Sequence, residues 1–225
     1  MAEAKFDSQC VLEVAGELFE QEGFEQISLQ AIAEKTEIEP DVLEVKYGST
    51  IKIALSIYQV MAESSLESVT KLPSGTISER YFAMIEAKLE QLQANQETVS
   101  VLFATAMRPS SSITAADISP GLRDPMMAVM QAIISDASDK PGKDEDELAL
   151  FLYTFHFLAI VFWLYDRTEQ KEASQLFIKF LREFIKMVRP MMVMPMVAKA
   201  LNRISRIMMV VFGGARLVDQ SATGE

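Results

Sequence analysis

The two residue types that most often act as nucleophiles, general bases or metal ligands occur once each, as Cys10 and His156. A single cysteine excludes an intramolecular disulfide and a cysteine-rich zinc site. A single histidine excludes a metal site with two histidine ligands and leaves little for histidine-based catalysis. The 32 acidic residues are abundant, but their distribution is typical of solvated helix faces. We therefore expect neither a metal nor another cofactor.

Motifs of the common enzyme families are absent from the sequence. The chain contains no GxSxG, P-loop, HExxH or CxxC motif, and no GxGxxG motif after a strand. Its 225 residues are 49% hydrophobic and include only nine glycines and eight prolines, which suits one or two globular domains. The N-terminus has no basic stretch followed by an apolar run, as a secretory signal would. These features predict a cytoplasmic protein that is not an enzyme.

Apolar residues recur with the 3.6-residue period of helices, and no segment alternates with the period of a strand. This pattern predicts an all-α fold. Gly23 and Gly48 are expected to end helices, Ser28 and Ser49 to cap them, and Pro40 to open one. The predicted helices cover 8–21, a short segment after Ser28, 41–47, 49–72, 77–107, 125–137, 146–166, 169–188 and 192–212, with a loop over 108–125.

The sequence Pro73-Ser74-Gly75 marks the clearest break between helical segments. It divides the chain into a head over 1–50 and a body over 73–190. A helix over about 49–72 connects the two. Residues 191–225 form a basic amphipathic tail helix with a frayed end. Three short helices with a tight turn between the second and third predict a helix-turn-helix head.

The head resembles the N-terminal domain of the TetR/AcrR family of transcriptional regulators. The matching features follow one another in order over about 45 residues: Ala15, Leu18 and Phe19, then Gly23-Phe24, Ser28, Ile32-Ala33, Ile38, Leu43, Tyr47 and Ser49. The later segment FHFLAIVFWLYDRTEQKEASQLF is similar to one subset of that family. The resemblance implies a homodimer, a helical ligand-binding and dimerisation domain, and DNA binding by the third helix.

The charge of the head is unusual for a DNA-binding domain. Residues 1–60 hold four lysines, no arginine and 12 acidic residues. Since DNA affinity comes largely from cations that neutralise phosphates, this balance predicts weak binding with a shallow salt dependence. The resemblance places the DNA contacts on the third helix and its flanks, at Ser28, Glu39, Asp41, Val42, Lys46, Tyr47 and Lys52.

The segment 148–165 carries no charge and is rich in aromatic residues. Its length is marginal for a membrane span, so a buried helix that lines a pocket and meets a second subunit is the favoured interpretation. His156, within this segment, is either a hydrogen-bonded core residue or a polar contact to a ligand. The density of aromatic and methionine side chains predicts an apolar ligand pocket. Its expected lining is Phe103, Met107, Met130, Phe155, His156 and Trp163.

The C-terminal segment reverses the charge of the chain. Residues 1–178 carry 13 basic and 29 acidic residues, whereas 179–216 carry eight basic residues against Glu183 alone. Within 192–212, Lys199, Arg203 and Arg206 share one stripe beside a broad apolar face. Such a helix either lies on an anionic membrane or packs its apolar side on the body.

Two functions are consistent with these features. The first is a TetR-like DNA-binding regulator controlled by a small apolar ligand. The second is a TetR-fold protein that has lost DNA binding and binds lipid or the membrane surface, similar to the lipid-binding accessory proteins of ubiquinone biosynthesis. The ordered head motif favours the first, and the acidic head with the basic tail favours the second.

Overall fold

The computed structural model of the protein describes residues 7–106, 115–142 and 145–191, together with positions 196, 199, 200, 203, 204, 206 and 207. The described residues form helices and no strands, so the predicted all-α fold is confirmed. Three 3₁₀ turns, Phe24–Gln26, Val69–Lys71 and Glu169–Lys171, separate some of the helices. The α-helices are α1 Ser8–Glu22, α2 Leu29–Thr36, α3 Pro40–Lys46, α4 Thr50–Ser68, α5 Ile77–Gln93, α6 Gln96–Ala106, α7 Ala115–Ser135, α8 Glu145–Tyr165 and α9 Glu172–Met191.

The boundaries of the head helices follow from local chemistry. The Asp7 carboxylate accepts hydrogen bonds from the backbone N–H groups of Gln9 and Cys10 at the start of α1. The Ser28 hydroxyl accepts one from Ala31 N at the start of α2, as predicted. Pro40 occupies the first turn of α3, where its missing N–H costs nothing. The predicted helix-turn-helix arrangement of α2 and α3 is therefore present.

Positive φ angles mark the ends of the head helices. Gly23 follows α1 with φ 85°, and Gly48 follows the end of α3 with φ 74°, so both predicted glycine stops are confirmed. The ψ of Gly23 is 137°, which lies outside the left-handed helical region. Glu37 ends α2 in the left-handed conformation, with φ 55° and ψ 30°. The turn thus keeps a geometry that favours glycine without having a glycine.

One prediction for the first half of the body is wrong. The segment 108–125 was expected to be a loop, but α7 begins at Ala115 and continues through Pro125. The second half of α7 buries Met130 and Ile133 completely, and this packing outweighs the cost of the two prolines inside the helix, Pro120 and Pro125. The helical pattern expected over 77–107 is formed by two helices, since the chain turns at Ala94 and Asn95 before α6 begins.

The helix α8 is apolar around its whole circumference. It is long and apolar enough to cross a membrane by length and composition, but half of its most apolar window is buried inside the protein. Its buried side chains include Phe151, Leu152 and Trp163. The expected buried helix over 146–166 is therefore present, and it contacts α6, α7 and α9.

The apolar core forms two clusters. One joins the end of α4 to α5, α7, α8 and α9 and includes Tyr81, Phe82 and Met130. The other contains the head residues Phe19, Ile32 and Leu43 and also includes residues of α6 and α8. The body residues that complete the head cluster are Leu92, Val99, Leu102, Ile160 and Trp163.

The tail is described only at separate positions. Residues 196, 199, 200, 203, 204, 206 and 207 are helical and exposed, which agrees with the helix expected over 192–212. The other residues of that segment, and the frayed end expected after it, lie outside the described residues.

Candidate functional site

The third helix presents most of its surface to solvent. Leu43 and Tyr47 are buried in the head core, whereas Val42, Val45 and Lys46 are exposed. Six of the seven predicted DNA-contacting side chains are exposed: Ser28, Glu39, Asp41, Val42, Lys46 and Lys52. Tyr47 is the exception, because only 8% of its surface is exposed. The buried Leu43 holds α3 against the head, and the opposite face of the helix is open to solvent. A helix that enters the major groove of DNA needs such an open face.

The electrostatics of this face are acidic. Glu37, Glu39, Asp41 and Glu44 are all exposed on α3 or the turn before it. Lys46 and Lys52 are the nearby cations in the head. Carboxylates placed against phosphates add repulsion, so binding of DNA by this face would require these two lysines as cationic anchors.

A pair of reciprocal contacts joins the head to the body. The Glu20 carboxylate of α1 accepts hydrogen bonds from Glu97 N and Thr98 N, each 3.0 Å long, and one of 3.1 Å from Thr98 Oγ1. Phe24 N in turn donates to Glu97 Oε1 at 3.5 Å. These contacts satisfy N–H groups of the first turn of α6 that have no partner within the helix. The head is therefore attached to α6 through a helix cap supplied from another element.

We expect Glu20→Ala to destabilise the protein, because it leaves the start of α6 uncapped. Loss of a cap of this kind costs about 1–2 kcal/mol, which lowers the melting midpoint of a chain of this size by about 2–4 °C for each kcal/mol. The matched control is Glu17→Ala, an exposed glutamate on the same helix. Thermal unfolding followed by circular dichroism measures both variants. Equal midpoints for the two would show that the cap contributes nothing.

The residues predicted to line a ligand pocket separate into two groups. Met130 and Phe155 belong to the body cluster, whereas Phe103 and Trp163 belong to the cluster of the head. The Phe103 ring lies 5.7 Å from Phe157 and 6.2 Å from Tyr58, measured between centroids. Met107 lies outside the described residues. The predicted lining as a whole therefore stays a prediction.

His156 is 2% exposed, and neither ring nitrogen has a hydrogen-bond partner among the described residues. Burial, with a smaller contribution from the positive charge of Lys88, lowers the pKa of His156 to about 3. The imidazole is therefore neutral at physiological pH. The sequence left two interpretations of His156 open, a hydrogen-bonded core residue and a polar contact to a ligand. The structure places His156 in the core, but the hydrogen bond expected of a core histidine is not observed among the described residues.

Sequence analysis missed the most distinctive polar residue of the body, Lys88. Its side chain is 3% exposed, and burial lowers its pKa to about 8. Its Nζ donates to Met61 O and Ser65 Oγ at 3.0 Å and to Gln91 Oε1 at 3.1 Å. The signal was present in the sequence, because Lys88 interrupts the apolar stripe of Met84, Ile85 and Leu92 on α5.

Lys88 lies in a cleft between α4 and α5 with a cavity volume of about 250 Å³. The cleft does not include any of the residues predicted to bind ligand. Its lining is mixed in character: Ser64, Ser65, Ser68, Val69, Leu72, Met84, Ala87, Lys88 and Gln91.

An apolar stripe runs along the outer face of α9. Leu176 and Phe180 are 68% and 57% exposed, and Met187 continues the stripe two turns later. Phe162 and Tyr165, near the end of α8, are also exposed. These five residues, named here the α8–α9 apolar face, form a surface that a monomer would leave in water.

The turn between α8 and α9 is fixed by Asp166. Its carboxylate accepts hydrogen bonds from Ser174 Oγ and Thr168 Oγ1, both 2.6 Å long. It also accepts from Ser174 N and Thr168 N. The hydrogen bonds from Ser174 and Thr168 hold the pKa of Asp166 well below its usual range. The capping network sets the direction in which α9 leaves α8.

No protein-family model matches the chain, and no curated protein matches it in sequence. Among solved structures, it is similar to a TetR-family transcriptional regulator from Streptomyces coelicolor, with a TM-score of 0.60 and 15% identity over 89% of this chain and 88% of that one. A protein of unknown function from Rhodococcus sp. RHA1 gives a TM-score of 0.54 at 12% identity, over 81% and 97%. A TetR/AcrR-family regulator from Thermobifida fusca gives 0.50 at 15%, over 78% and 96%. The chain therefore has a TetR-like fold.

Proposed function

We propose that this protein is a TetR-like transcriptional regulator that binds double-stranded DNA through α3. The observation that carries the proposal is the outward face of α3 in a helix-turn-helix head. Leu43 holds the helix from inside, while Val42, Lys46 and the acidic residues face solvent. The similarity to regulators with the same fold supports this assignment over an enzymatic one.

A homodimer and control by a small apolar ligand complete the proposal. The α8–α9 apolar face is the surface through which a second copy would pack, so that two heads would read two half-sites of DNA. A ligand bound in the body would change the spacing of the heads, and the Glu20 contacts to α6 offer a route for that change.

The salt dependence of DNA binding tests the proposal. We expect weak retention, with a log–log slope of affinity against salt of about −2 to −4 for each bound head. Replacing Lys46 or Lys52 with alanine should reduce that slope by about one unit per head. Lys71→Ala, which changes an exposed lysine in the 3₁₀ turn after α4, should leave the slope unchanged. Fluorescence anisotropy on genomic fragments over a salt series measures the slope. A chain that retains no DNA at low salt would refute the proposal.

The second candidate function is lipid or membrane-surface binding without DNA binding. It is favoured by the acidic face of α3 and by the described tail positions. Met196, Ile204 and Ile207 are exposed apolar residues, and they lie among the exposed cations Lys199, Arg203 and Arg206.

Vesicle flotation tests this second function. If it is correct, the protein binds anionic vesicles more than neutral ones, because each surface cation contributes about 1 kcal/mol on an anionic leaflet. Changing Lys199, Arg203 and Arg206 together to glutamine should then reduce binding by about 100-fold. The control changes three exposed lysines elsewhere, Lys35, Lys71 and Lys140, in the same way. Equal recovery on both kinds of vesicle would exclude it.

A further inference from the structure

The strongest unassigned feature of the molecule is the positive charge of Lys88. Its amino group is buried and has no carboxylate within ion-pair distance among the described residues. Its acceptors are a backbone carbonyl, a hydroxyl and a side-chain amide, all uncharged. The Tyr58 ring lies 5.5 Å from it, and burial raises the pKa of the Tyr58 hydroxyl, which stays protonated. Since a buried charge without a counter-ion is costly, the site favours an anion.

The three acceptors of Lys88 differ in how firmly they are held. Met61 O belongs to the backbone of α4, and the Ser65 hydroxyl donates to that same carbonyl at 2.8 Å. Gln91 belongs to α5 and is only half-buried at the edge of the cleft. Its amide oxygen can therefore leave Lys88 by rotation of a flexible side chain. The position it vacates lies within hydrogen-bond distance of Lys88 Nζ, and both residues line the cleft.

The rest of the cleft provides room for a hydrocarbon group. Ser64, Ser68 and Ala87 are exposed and form its mouth, while Val69 and Met84 are buried and form its wall. A volume of about 250 Å³ lies just below the usual range of ligand pockets and suits a small molecule. The lining is thus cationic at one end and apolar along one side.

We propose that the cleft between α4 and α5 binds a small organic acid. Its carboxylate replaces the Gln91 amide as the third acceptor of Lys88, and its hydrocarbon part packs on Val69, Leu72 and Met84. This inference rests on the proposed function, because it specifies the controlling ligand further, as a molecule whose apolar part ends in one carboxylate. It also places that ligand between α4, which leads out of the head, and α5.

The probes are straight-chain carboxylates from butanoate to decanoate and the primary alcohols of the same lengths, measured by calorimetry on the full chain. We expect the acids to bind more tightly than the matching alcohols. Affinity should rise about fourfold for each methylene until the cleft is full. Acids and alcohols that bind equally well, or acids that do not bind at millimolar concentration, would overturn the proposal.

Two variants locate the acid. Lys88→Met removes the charge but keeps an apolar chain of similar length, and it should weaken acid binding at least tenfold while sparing the alcohols. Gln91→Glu supplies a carboxylate to Lys88 from within the chain and should have the same effect on acids. Gln93→Glu adds the same charge at an exposed position two residues away and should change nothing. Unchanged acid affinity in Lys88→Met would overturn the proposal.

DNA retention is measured separately on the same preparations. Retention of DNA without acid binding would overturn the proposal of an acid site and leave the proposal of a DNA-binding regulator unaffected. Acid binding without DNA retention would support the acid site and refute the proposal that the protein is a DNA-binding regulator.

Discussion

Replacing Leu176 and Phe180 with glutamate is expected to convert the proposed dimer into a monomer. Both side chains are mostly exposed on α9 and belong to the α8–α9 apolar face. In a symmetric dimer the double variant places four carboxylates in an apolar interface. The unpaired charges should cost about 4 kcal/mol or more, which raises the dissociation constant at least about 1000-fold. Sedimentation velocity at micromolar concentration measures the change.

The control for this experiment is Val60→Glu. Val60 lies on α4 and is 53% exposed, close to the exposure of Phe180, so the substitution makes the same kind of change on another surface. It should leave the dimer intact. A wild-type protein that sediments as a monomer at the same concentration would contradict the assignment of this face.

Neutralising the acidic residues of α3 is expected to strengthen non-specific DNA binding. The variant changes Glu39, Asp41 and Glu44 to their amides, and all three carboxylates are exposed. A charge about 8 Å from a phosphate costs about 0.5 kcal/mol in water. Removal of three should therefore tighten binding by about tenfold at low salt. Anisotropy with a fragment of arbitrary sequence measures the effect.

A second triple variant separates local repulsion from net charge. Glu63, Glu67 and Glu90 are exposed on α4 and α5, and their conversion to glutamine changes the net charge equally. It should have much less effect on DNA affinity. An equal gain in the two variants would show that α3 is not the element that faces the duplex.

The fold was predictable wherever a local signal determined the structure. The glycines at 23 and 48, the Ser28 cap and Pro40 each act within one turn of chain, and the head helices begin and end where these residues predict. The apolar segment 148–165 was also recognisable as a buried helix, since few other elements of a globular protein have so long an uncharged run.

The features that sequence analysis missed depend on partners distant in sequence. The break before α6 is stabilised by Glu20, whose contact with Thr98 spans 78 residues. The start of α7 at Ala115 was missed because serine and proline residues suggested a loop. The cleft at Lys88 requires Met61 and Ser65 from another helix, so only the interruption of the α5 stripe could have indicated it.

The shared core of head and body determines how the molecule unfolds. Trp163 and Ile160 of α8 pack in the same cluster as Phe19 and Leu43 of the head. A fluctuation that opens the head must expose the end of α8 to water, and a fluctuation that frees α8 must expose the head. We therefore expect the backbone amides of α1 and of the second half of α8 to belong to one cooperative unit, which exchanges its hydrogens with solvent only when both elements open together.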